Sequence, residues 1–145
     1  MRNAEIWKPS KFVFRKGRLH ASGDPLEVSA GSRLNTDIIA SFFDRYLPAF
    51  ARGRLVDLGC GKAPLYGAYP PFVKECVCVD WAETLHGREY LDLECDISRR
   101  LPFRDGEFDT VILSDVMEHI AQPELLWGEM YRILTAGGQA VMSVP

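Results

Sequence analysis

The residues most able to do chemistry are glycines and acids at nucleoside-binding spacing. Asp57-Leu58-Gly59-Cys60-Gly61 ends a short apolar run, and Asp80 ends the next one, nineteen residues after Gly61. Glycines let a backbone approach a ligand closely and allow a tight strand-to-helix turn. An acid one strand later can accept hydrogen bonds from both hydroxyls of a ribose. A dinucleotide site would need Gly-x-Gly-x-x-Gly with free N–H groups at a helix start. Here the run is Gly59-Cys60-Gly61-Lys62-Ala63-Pro64, so the third glycine is absent and Pro64 removes one donor. Asp57 would also repel a phosphate. The pattern disfavours a nicotinamide dinucleotide and an oxidoreductase, and favours a cationic nucleoside ligand.

These residues need a scaffold that brings strand ends together. Arg54–Leu58, Cys76–Val79, Glu89–Leu93, Phe108–Leu113 and Gln139–Val144 read as five short strands, the third the weakest. Leu34, Ile38, Phe42 and Leu47 recur at helical spacing and predict an amphipathic helix over 33–47, ended by Pro48. Leu126, Met130, Ile133 and Leu134 predict another over 122–134, ended by Gly137-Gly138. A short helix is expected from Pro64 to Pro70-Pro71. Alternating strands and helices imply an α/β fold, a Rossmann-like parallel sheet with helices on both faces. Ligands of such sheets bind outside the carboxyl ends of the strands. Gly59, Gly61, Asp80, Asp96, Ser114 and Asp115 all fall at those ends.

The chain of 145 residues is long enough for one domain with a real core. It is 47% hydrophobic and 26% charged with a net charge of −3, which argues against disorder and against binding driven by nucleic-acid phosphates. No stretch approaches a membrane span, and the first residues lack a signal-peptide pattern, so a cytoplasmic location is expected. Cys60, Cys76, Cys78 and Cys95 form no Cys-x-x-Cys pair; reduced thiols packed as small apolar groups are expected, and no metal site. Residues 1–20 hold six basic side chains against Glu5 alone, together with Trp7, Phe12 and Phe14. Residues 1–32 are read as a basic arm and 33–145 as the core. Phe12–Arg15, Lys16-Gly17 and Arg18–His20 suggest a hairpin. The arm is read as solvated with its aromatics packed on the core, rather than as a surface for an anionic substrate or a membrane. His20 and His86 show no partners and are read as surface residues.

Val56-Asp57-Leu58-Gly59-Cys60-Gly61-Lys62 resembles the first motif of class I S-adenosylmethionine-dependent methyltransferases, nearest the type 11 branch. The rest follows in the family's order: Cys78-Val79-Asp80-Trp81, Cys95-Asp96-Ile97, Leu101-Pro102-Phe103 with Phe108–Val111, Ser114–Ile120, and Arg132–Gly138. The resemblance implies S-adenosyl-L-methionine as cofactor and methyl transfer to a small-molecule or glycan-type acceptor. It implies that Gly59, Cys60 and Gly61 pass the methionine portion, with Asp57 supporting that loop or the amino group. Asp80 would hold the ribose, Trp81 lie along the adenine, Asp96 and the Ile97 N–H meet its ring edge, and Ser114 face the methionine side. No catalytic residue is assigned; His119 is the candidate base, with local bonding at a helix start as the alternative. Asp115 and Glu118 are similar cases, either of which could cap the following helix. Ala63 and Ala136 depart from the family's usual glycine and proline. The family's sheet has seven strands, so a chain ending at Pro145 is expected to be truncated after the fifth. That leaves an open edge, with a homodimer through it as one expectation. A non-catalytic S-adenosylmethionine-binding or interaction module is the alternative to an enzyme.

Overall fold

The computed structural model describes residues 1–82 and 87–144, so His86 lies outside the described residues. Strands β1 (Phe12–Arg15) and β2 (Arg18–Ala21) form the antiparallel hairpin. Lys16 and Gly17 both have positive φ, 51° and 77°, the backbone of a two-residue turn whose twist matches that of the strands. Two acids of α1 (Arg33–Phe50) finish the free edge of β2. Asp44 accepts the Leu19 N–H at 3.0 Å and Asp37 the Ala21 N–H at 2.8 Å. Phe12 and Leu19 are thereby buried against Ile39, Phe43 and Leu47.

Helix α1 runs three residues beyond the expected stop. Pro48 lies in its last turn, where a missing N–H costs one bond only. The Ala51 N–H still reaches the Leu47 carbonyl at 2.8 Å, and the Tyr46 and Phe50 rings stack with centroids 6.0 Å apart.

The main sheet holds β3 (Arg54–Leu58), β4 (Glu75–Asp80), β5 (Leu93–Glu94), β6 (Phe108–Ser114) and β7 (Leu134–Ser143). Their order is β5-β4-β3-β6-β7, with every pair parallel. The chain steps outward from β3 to β5 and then crosses to β6, so the order reverses between β3 and β6. Side chains alternate across the sheet as the strand period requires. Leu55, Ile112 and Val141 face α1 and the hairpin. Val56, Leu58, Val111 and Leu113 face α2 (Pro123–Ile133) through Leu126, Met130 and Ile133. Both faces are therefore covered, as the near-continuous apolar strands require.

Three expected elements differ. Residues 60–68 make successive four-residue turns instead of a helix: Ala63 N–H to Cys60 O, Tyr66 N–H to Ala63 O, and Ala68 N–H to Leu65 O. Ala63 itself has φ 49°, and Pro70 opens a 3₁₀ turn, Pro70–Phe72, rather than closing a helix. The third strand is only Leu93–Glu94. Before it, the Asp92 carboxylate takes the Cys78 N–H at 2.8 Å, so a side chain stands in for a strand carbonyl. The last strand begins at Leu134, directly after the helix. Phe108 pairs with Leu134 and Thr110 with Gln139, so residues 135–138 bulge out and Gly137-Gly138 lie within the bulge. No helix among the described residues is long and apolar enough to cross a membrane.

Phe43 is fully buried at the centre of the cluster joining the hairpin, α1 and the sheet. Phe43→Ala is expected to destabilise the protein by about 3–5 kcal/mol. Urea denaturation measures this; a loss below about 1 kcal/mol would place the core elsewhere.

Candidate functional site

The bend after β3 is sewn to the end of β4. Gly59 and Cys60 both donate their N–H groups to the Val79 carbonyl, at 2.8 and 3.0 Å. Gly59 has φ 71°, and a Cβ there would lie 2.6 Å from Cγ2 of Val116, so the residue after β6 closes directly on the loop. The Gly61 N–H donates to Oδ2 of Asp80 at 3.0 Å, and the Trp81 N–H to Oδ1 at 2.8 Å. The glycine bend and the acid of the next strand are thus one hydrogen-bonded unit. Their nineteen-residue separation is closed by the parallel register that sets Leu58 beside Val79.

A cleft of about 790 Å³ opens above these strand ends. Its wall includes Asp57, Gly59, Cys60, Gly61, Asp80, Trp81, Asp96, Ile97 and Ser114, and also His119. Every candidate from the sequence therefore faces one cleft, at the point where the strand order reverses. Trp81 is 52% exposed. Asp96 accepts the Ser98 N–H at 3.0 Å and the Ser98 hydroxyl at 2.6 Å, and pairs with Arg99. The Ser98 hydrogen bonds hold its carboxyl below the usual range, with the Arg99 charge adding to them. Ser114 shares a hydrogen bond with Ser143 at 3.2 Å. The His119 side chain is 76% exposed, and its neighbouring acid, Glu118, stands 3.9 Å away. His20, expected to have no partner, has an acidic neighbour, Asp37, at 3.8 Å.

Asp57 is buried behind the glycine bend. The Tyr69 hydroxyl donates to its Oδ2 at 3.4 Å. Burial pushes its carboxyl up to about 7, and the nearby Asp80 charge acts in the same direction. Cys60, Cys76, Cys78 and Cys95 are free thiols. The hydrogen bond of Cys76 to Cys78 and that of Cys78 to Cys60, together with burial, raise both thiols above the ordinary range.

The cleft also contains residues the sequence did not single out. Ser10, Lys11, Leu26 and Glu27 line it from the first 32 residues. Lys62, directly after the glycine bend, pairs with Glu27 at 2.8 Å. Lys11 pairs with Asp115, which has φ 54° at the end of β6. Asp115 also accepts the Ser143 hydroxyl at 3.0 Å, so it joins a side-chain network rather than capping a helix. For Lys11 the only signal in the sequence was the arm's basic charge, which does not say which lysine turns inward.

The parallel sheet whose strand order reverses between β3 and β6, with a glycine bend bonded to the acid of the neighbouring strand, defines a Rossmann-like domain. Residues 56–142 match the methyltransferase domain family, and the chain belongs to that family, with the fold of class I S-adenosylmethionine-dependent methyltransferases. Over 43 residues it is 51% identical to an uncharacterized methyltransferase of Mycolicibacterium gilvum, covering 30% of this chain and 17% of that one. It is 29% identical to the ubiquinone biosynthesis O-methyltransferase of Ruegeria pomeroyi, covering 97% of this chain and 58% of the relative. Among solved structures it resembles the PH0226 protein of Pyrococcus horikoshii, with TM-score 0.59 and 27% identity over 79% of this chain and 58% of that one. The chain thus spans less than two thirds of the length of each of these relatives.

The raised Asp57 carboxyl has a consequence for stability. The unfolded chain ionises this group near pH 4 and the folded one near 7. Its contribution to stability is full below pH 4 and is lost as pH rises to about 7, at no more than about 1.4 kcal/mol per pH unit. Asp57→Asn should therefore gain on the wild type by roughly 1 kcal/mol per unit between pH 5 and 7, levelling off above that. Urea titrations at pH 5, 6, 7 and 8 test this. A difference that does not change with pH rules out a buried, mainly protonated Asp57.

Proposed function

We propose that the cleft binds S-adenosyl-L-methionine and that this chain carries the donor site for methyl transfer to a small-molecule or glycan-type acceptor. The observation that carries this reading is the unit formed by the Gly59–Gly61 bend and Asp80 on the cleft wall. The charge of the cleft supports it as well: Glu27, Asp57, Asp80, Asp96 and Asp115 stand against Lys11 and Lys62, a lining suited to a ligand with a sulfonium and an ammonium group.

In this reading each residue has a physical task. A carboxylate has about four lone-pair sites. Asp80 uses two for Gly61 and Trp81, which leaves acceptors for two ribose hydroxyls and holds the loop and the ribose in one register. Gly59, Cys60 and Gly61 give the methionine portion close access to backbone. Asp57, poised near neutrality, gains its negative charge when an ammonium group approaches. Trp81 supplies a flat apolar face for adenine, and Asp96 with Ile97 meets its polar edge. Ser114 borders the methionine end. When bound, the donor supplies a methyl group already activated by its sulfonium; the protein's work is alignment and exclusion of water. The name of the Ruegeria relative favours an oxygen as the accepting atom.

Calorimetric titration with S-adenosylmethionine tests the site. Asp80→Ala should weaken binding by about 1.5–3 kcal/mol, the range for hydrogen bonds to a charged group. Unchanged affinity in that variant would falsify the assignment. Binding without methyl transfer to any acceptor favours the non-catalytic module. We route no proton through His119, because it is exposed and has no close orienting partner among the described residues. His119→Ala should keep kcat within about threefold; a loss of 10²-fold or more would instead identify it as the general base.

A further inference from the structure

We propose that Trp7 is a positioning residue for the donor site: its indole holds, from behind, the segment that follows the glycine bend, and so keeps that part of the cleft wall in its binding shape. The inference rests on the donor site proposed above and adds to it a residue that does not itself line the cleft.

Cys60, Gly61, Lys62, Pro64 and Leu65 line the cleft. Ala63, between them, belongs instead to the buried cluster with Cys78 and Leu91, against which Trp7 and Tyr66 pack. Its φ is 49°, a left-handed backbone that is costly for alanine and persists only where the surroundings impose it. The segment is a run of turns with no helix to stiffen it, so its shape depends on contacts from elsewhere in the chain.

Trp7 supplies such contacts at three places. Its indole N–H donates to the Ala63 carbonyl at 3.0 Å, beside the Tyr66 N–H that donates to the same oxygen at 3.0 Å. Its ring meets Tyr66 edge-on, with centroids 5.4 Å apart. The ring also lies over Gly67, where a Cβ would come within 2.8 Å of Cη2. The residues around Trp7 are themselves tied down: the Asn3 amide donates to the Glu89 carbonyl at 2.8 Å, and the Tyr90 hydroxyl to the Ile6 carbonyl at 3.5 Å.

The path from Trp7 to the donor residues is short. The Ala63 N–H donates to the Cys60 carbonyl at 2.8 Å, so a turn of Ala63 moves Cys60. Gly61, the next residue, has its N–H on the Asp80 carboxylate. Loss of the indole contact lets Ala63 relax towards ordinary backbone angles, and the bend then loses its register with Asp80.

The experiment titrates S-adenosylhomocysteine calorimetrically into the wild type and its variants. Trp7→Ala should weaken binding about tenfold, and Trp7→Phe, which keeps an aromatic ring but loses the N–H donor, about fivefold. Gly67→Ala puts a methyl group where the indole lies. It should weaken binding about threefold alone and change it by less than about 1.5-fold in the Trp7→Ala background, because both act through one contact. Linkage requires the reverse effect too: the ligand must strengthen the Trp7 contact by the same factor. Solvent exchange of the Trp7 indole N–H, assigned in NMR spectra by its absence in Trp7→Phe, should therefore slow about tenfold when S-adenosylhomocysteine saturates the protein. Should Trp7→Ala not fold, the Trp7→Phe affinity and the indole exchange decide the matter. Affinities within about twofold of the wild type in both Trp7 variants, additive losses with Gly67→Ala, or indole exchange that the ligand leaves unchanged overturns the proposal. Failure of the wild type to bind S-adenosylhomocysteine would instead overturn the donor site, so the two failures are separate.

Discussion

The structure depends on how the ends of β3 and β4 are joined. Four backbone N–H groups, those of Gly59, Cys60, Gly61 and Trp81, terminate on one carbonyl and one carboxylate of adjacent residues, Val79 and Asp80. At the carboxyl end of a parallel sheet, backbone groups lose their strand partners and must find others. Here they find each other, and the bend becomes rigid without a helix behind it. A ligand that meets this bend meets a surface already organised, so little ordering entropy is spent on binding.

That join constrains its surroundings. Val116 fits against Gly59 only because no Cβ intervenes, and so the segment after β6 is drawn onto the bend. Asp115, one residue earlier, adopts a left-handed backbone and reaches both Ser143 and Lys11. The first 32 residues enter the site through this path and through Glu27 on Lys62. They also enter the core through Phe12 and Leu19. The N-terminal segment is thus both a structural layer over α1 and one wall of the cleft.

The distribution of charge follows the same plan. Asp57 is buried with no cationic partner among the described residues and sits near the border of ionisation, whereas Asp96 is exposed and held ionised by Ser98 and Arg99. Two acids of the same cleft respond differently because one has lost water and the other has gained donors. A cleft lined in this way answers to the charge of what enters it.

Much of this was legible in the chain alone. The strands β3, β4 and β6 follow from apolar runs that must be buried on both faces, and the hairpin from Lys16-Gly17 between alternating residues. Asp57, Gly59, Gly61 and Asp80 could be picked out because chemistry at strand ends needs those residue types at that spacing. Other features were not legible, because they depend on partners distant in sequence. Pro48 stays helical since Tyr46 and Phe50 hold the turn, and β5 is short since the Asp92 side chain replaces a strand carbonyl. The bulge at 135–138 exists because Leu134 pairs with Phe108 before the glycines arrive. Local sequence determined most elements and the glycines and acids at the strand ends, since period and turn chemistry act over a few neighbours. Tertiary structure alone decided that Ser10 and Lys11 belong to the cleft, since an ion pair spanning 104 residues exists only after the chain has folded.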